Sequence, residues 1–92
     1  MDGELRLRTI KIIYFNHMRF LPSIEIFRTD VYDRAEADMI VQQLNAAFTA
    51  YLINFDLHDC DRILRIENRS GRVAPERVIK MMQQLGYEAI LL

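Results

Sequence analysis

The sequence predicts an α+β domain whose elements run strand, helix, strand, strand, helix, strand. Three observations predict it. Apolar residues recur at helical spacing in two stretches, 37–48 and 78–85. Between and around these, apolar and polar residues alternate with period 2. The breaks separating the stretches are short and polar, or carry glycine or proline.

The first strand is expected from residue 24, where Ile24 and Ile26 alternate with Glu25 and Arg28, and Phe27 takes the other face. Asp30 to Asp33 interrupt that pattern. Ala37, Ile40, Val41, Leu44, Ala47 and Phe48 then form one stripe of a helix of about four turns. Ile53, Phe55 and Leu57, alternating with Asn54 and Asp56, make a second strand. The tetrapeptide His58-Asp59-Cys60-Asp61 is short and polar enough to turn a hairpin into a third strand containing Leu64 and Ile66. Asn68 to Gly71 reads as a loop. Pro75 and Glu76 suit a first helical turn, Val78, Ile79, Met82 and Leu85 a buried stripe, and Gly86 a helix stop. Tyr87 to Leu92 closes the chain as a fourth strand.

This βαββαβ order predicts a ferredoxin-like sandwich over residues 24–92: a four-stranded antiparallel sheet with both helices on one face. Residues 1–23 form an N-terminal extension. Leu5, Leu7, Ile10, Ile12 and Tyr14 alternate imperfectly, as an added edge strand would. The run Ile10 to Asn16 also has the composition of translated AT-rich DNA, which makes Met18 an alternative start.

Composition excludes several classes of function. At 92 residues, 51% apolar and 27% charged, the chain can bury a single core. A net charge of -1 gives no overall attraction for nucleic acid. One cysteine forms neither an internal disulfide nor a multi-thiolate metal site. The longest apolar run of the first 23 residues, Ile12 to Phe15, is too short for a signal peptide, and no window suits a membrane span. The expected location is the cytoplasm.

Several pieces together resemble the heavy-metal-associated domain family, the small copper-chaperone-like ferredoxin folds. They are the strand from Ile24, the helix ending near Phe48, the hairpin strand with Phe55-Asp56-Leu57, and above all Gln84-Leu85-Gly86-Tyr87-Glu88-Ala89. The resemblance covers residues 24–92 and implies the same fold. In that family the chemistry comes from Met-Thr-Cys-x-x-Cys between the first strand and first helix. Matching Ile40 and Leu44 to the family's helix core puts Val31 and Tyr32 at the Met and Thr positions, and Asp33 and Glu36 at the two cysteines. Soft ions prefer sulfur to carboxylate, so the resemblance implies the fold without copper-chaperone activity.

The remaining candidates divide between chemistry and structure. Asp33 and Glu36 could offer two carboxylates to a hard cation, but they fall far short of the ligands calcium needs. Asp-x-x-Glu before an apolar stripe is instead a helix cap with its reciprocal glutamate. Asp56, His58, Asp59, Cys60 and Asp61 hold zinc-compatible donors within six residues, yet no second ligand pair follows. Cys60 beside His58 is a poor nucleophile, because neighbouring aspartates disfavour a thiolate. Met39, Met81 and Met82 suit gap-filling of the core better than copper binding. Tyr87 is expected beneath the loop preceding the first helix. Arg62, Arg65, Arg69, Arg72, Arg77 and Lys80 could line an RNA-binding sheet, but the third strand lacks the RNA-recognition octamer.

The sequence therefore predicts a non-enzymatic domain without cofactor, acting through protein contact by pairing sheet edges, homodimerisation included, or by presenting the loop around Asp33. The alternatives are a heavy-metal-binding or transport protein using Asp33, Glu36, His58 or Cys60, and an RNA-binding sheet.

Overall fold

The structure, a computed structural model, describes residues 22–58 and 60–92. Its elements are β1 (Ser23–Thr29), α1 (Arg34–Ala47), β2 (Tyr51–Asp56), β3 (Ile63–Asn68), α2 (Pro75–Leu85) and β4 (Ala89–Leu91). The strands form one sheet in the order β2-β3-β1-β4. All three pairings are antiparallel, with Phe27 opposite both Leu64 and Leu91, and Phe55 opposite Leu64. This is the ferredoxin-like α+β arrangement. The N-terminal extension, with its edge-strand and Met18 readings, lies outside the described residues, apart from Pro22 and Ser23.

The core lies between the sheet and the two helices. Phe27, Leu64, Ile66, Phe55 and Ala89 face Ala37, Ile40 and Leu44 of α1 and Val78 and Met82 of α2. Of the helical stripes read from sequence, Ala37, Ile40, Leu44, Phe48, Val78 and Met82 are buried, Val41, Ile79 and Leu85 half-buried and Ala47 exposed, and β3 buries Leu64 and Ile66 completely. In β1 the helix side belongs to Phe27 and Thr29, which leaves Ile24, Ile26 and Arg28 on the opposite, open face. Met82 is buried, whereas Met39 is exposed.

The helix ends follow their local chemistry. Asp33 has extended backbone and its Oδ2 accepts the Glu36 amide at 3.1 Å, which satisfies one free donor of the first turn. Helix α2 has no side-chain cap at Ala74. The Ala74 amide instead donates to the Tyr51 hydroxyl at 2.9 Å, and Tyr51 stacks on Phe48 with ring centroids 5.0 Å apart. Gly86 ends α2 in the left-handed region at φ 98°, and Tyr87 N then donates to Met82 O at 2.9 Å.

Candidate functional site

The antiparallel topology gathers three connections at one end of the sheet: residues 30–33 after β1, residues 57–62 between β2 and β3, and residues 86–88 before β4. This is also where the heavy-metal-associated resemblance places its metal loop. The connections are tied to one another. Thr29 N donates to the Asp61 and Arg62 carbonyls, both at 3.2 Å, and Thr29 Oγ1 donates to Arg62 O at 2.6 Å. The Thr29 hydroxyl in turn accepts from Val31 N at 3.2 Å, and Asp30 Oδ1 accepts from Glu88 N at 2.8 Å.

Arg62 is the hinge of this end. Its backbone stands at φ 51°, unusual for a residue with a side chain. Its Nη1 donates to Leu57 O at 2.7 Å, and its guanidinium lies 4.6 Å from the centre of the Tyr32 ring. That distance is within cation–π range. Its Nε is buried with no hydrogen-bond partner among the described residues. Only the positive charge of Arg62 is visible in sequence, and nothing there marks its conformation.

A cleft of about 220 Å³ opens between these connections, lined by Arg28, Thr29, Asp30, Tyr32, Cys60, Asp61, Glu88 and Ile90. Of the sequence candidates, Cys60 and Asp61 reach it, while Asp33, Glu36 and His58 do not line it. Asp33 caps α1. Tyr87 is half-buried at this end, near the Glu36 carboxylate. Its phenol is held above its ordinary pKa, by burial first and then by Glu36, Asp30 and Asp33. His58 and Cys60 are exposed, and Asp56 Oδ1 accepts His58 N at 3.1 Å as a turn. Among the described residues no three His, Cys, Asp or Glu side chains stand close enough to hold one metal ion.

The basic residues adjacent in sequence between 62 and 80 do not form one patch. Arg62 folds over the loop end and Arg65 stands on the open sheet face. Arg69 pairs with Glu67 at 3.1 Å, and Arg77 lies over the Phe48 ring at 5.5 Å. No aromatic residue of the described strands points to the open face. Phe27, Phe55 and Tyr51 all lie on the helix side, so the sheet offers no platform for stacking bases.

No family model matches the chain, and no curated protein or solved structure matches it either. No helix among the described residues is long and apolar enough to cross a membrane.

Proposed function

We propose that this chain is a small non-enzymatic interaction domain, built like a heavy-metal-associated domain and working without that family's thiolate pair. The observation that carries this reading is the exposed apolar surface of the open sheet face. Ile24 is 44% and Leu52 45% exposed on this face, and Ile90 and Leu92 are exposed along its β4 edge. Apolar side chains grouped on one face are where protein partners dock. The loop end supports the same reading, because its carboxylates are spent on internal bonds: Asp33 on the helix cap and Asp30 on Glu88. With carboxylates at both cysteine positions of the resemblance, Cu(I) would meet oxygen donors that bind it poorly.

Two measurements test this. In a competition titration, the chain should hold Cu(I) no better than a peptide with one ordinary thiol. A photo-reactive residue at Leu52 should cross-link a discrete protein in cells, whereas the same group at the exposed helix residue Gln42 should not. Stoichiometric Cu(I) binding against a chelator, or equal labelling from both positions, would overturn the reading.

A further inference from the structure

Among the described residues the sheet has two free edges, and they differ. That of β4 is three residues long and that of β2 six. A free edge is a row of unpaired amides and carbonyls, which natural sheets blunt with lysine, proline or a bulge. Strand β2 carries neither lysine nor proline, and its one charge, Asp56, stands at its end. Its helix side also lacks full cover. Ile53, and Leu57 just beyond the strand, are only half-buried against the core. Backbone and side chains alike leave room for one further strand.

The sequence before β1 has the composition to fill it. It carries Arg6, Arg8, Lys11 and Arg19 against Asp2 and Glu4, while the rest of the chain has eight basic and eleven acidic residues. The two parts therefore attract each other. Ile10, Ile12 and Tyr14 take every second position, as one face of a strand does. We propose that residues 10–15 of this same chain occupy the free edge of β2 as a fifth, antiparallel strand.

Topology selects this edge. Ser23 lies opposite Asn68 and Asn68 opposite Tyr51, so β1 and β2 begin at the same end of the sheet. A segment that runs to that end and turns into β1 is antiparallel to β2 and parallel to β4. Antiparallel pairing is the more stable per residue. The outer side of β2 is three strand spacings from β1, roughly 14 Å. Residues 16–21 reach about 20 Å when extended, enough to cross that gap. So short a tether holds the segment at millimolar effective concentration, ahead of a second molecule present at micromolar concentration. Ile10, Ile12 and Tyr14 then take the helix side beside Phe55 and Ile53, and Lys11, Ile13 and Phe15 the open side beside Asn54 and Leu52. The fifth strand widens the open face without depending on the interaction reading.

NMR of the full chain tests this. Contacts should run antiparallel from residues 10–15 to residues 51–57, with Ile12 touching Ile53 or Phe55. Amides within residues 10–15 should exchange at least about tenfold more slowly than in Ile12→Pro, which loses a ladder donor. That variant should lose the contacts to β2 while those between β1 and β3 persist, and Arg6→Pro, outside the paired stretch, should keep them all. Contacts from Ile12 to Leu52 or Asn54 overturn the proposal, because the two faces would be exchanged. So do contacts from residues 10–15 to β4 or across the open face, the absence of any contact, and contacts that survive in Ile12→Pro. In a mixture of labelled and unlabelled chains, contacts that cross between molecules put another copy's strand on the edge and overturn the assignment too. If Ile12→Pro fails to fold, the wild-type contacts and its exchange against unstructured rates decide alone. Cross-linking from Leu52 reads the open face and not the edge, so this proposal and the interaction reading fail separately.

Discussion

The Thr29 hydroxyl donates to the Arg62 carbonyl at 2.6 Å, across 33 residues of sequence, and accepts the Val31 amide on its other side. One buried side chain thus joins the end of β1 to the start of β3 and fixes the backbone entering the loop before α1. Thr29→Val keeps the shape and removes both bonds, leaving a buried amide and carbonyl with fewer partners. The expected loss is about 1–3 kcal/mol in chemical denaturation. Thr29→Ser keeps the hydroxyl and should recover most of it. A loss in Thr29→Ser with none in Thr29→Val would place the effect in the methyl group instead.

Asp33→Ala should cost about 1 kcal/mol, the usual worth of a helix cap. The loss should be the same in EDTA and in millimolar Ca²⁺, Mg²⁺ or Zn²⁺. A ligand bound only to the native state raises stability by mass action, so a rise in wild-type melting temperature with any of these ions, absent in Asp33→Ala, would restore a metal role.

Tyr87 gives the loop end a signature at high pH. Burial and the nearby Glu36 carboxylate raise its pKa from the ordinary 10.0. Above the unfolded pKa, the native chain keeps a proton that the unfolded chain has lost. Stability from this group is therefore fully present below about pH 10 and falls as pH rises toward the folded pKa. Absorbance at the phenolate band, compared with Tyr87→Phe, should place the Tyr87 transition above that of a free tyrosine. Glu36→Gln should move it down, because two of its causes lie on Glu36. A transition unmoved by Glu36→Gln would break the assigned contact.

The helices and their ends were legible because one-dimensional signals decide them: the 3.6-residue period of Ile40 and Leu44, the Asp33 to Glu36 spacing, and glycine at 86. The faces of β1 were harder. Ile24 and Ile26 are at least as apolar as the buried pair Phe27 and Thr29, so alternation marks a strand without saying which side meets the helices; the topology decides. The closeness of the 57–62 turn to residues 30–33 likewise follows from antiparallel register, which no local pattern reports. Arg62 was visible as a charge and invisible as a joint, since its φ of 51° and its carbonyl's bonds to Thr29 depend on tertiary contact. The basic residues from 62 to 80 scatter for the same reason. A strand, a loop and a helix carry them to different sides of the domain.

Gly86 allows strain and packing to be separated at a single position. It ends α2 at φ 98° and ψ 18°, and a Cβ built there would meet no atom within 4 Å. An L-residue at 86 is thus opposed by its own backbone and not by its surroundings. Gly86→Ala should lose about 1 kcal/mol, with Gly86→Asn losing less because asparagine tolerates this region better. Semisynthesis with D-alanine at 86 inverts the argument. The D-residue favours positive φ, fits the open space and restricts the unfolded chain, so it should match or exceed wild-type stability by up to about 1 kcal/mol. If L- and D-alanine destabilise equally in urea melts, a clash is responsible and the backbone account of this helix stop is wrong. If only L-alanine destabilises, the glycine before Tyr87 is there for its conformation alone.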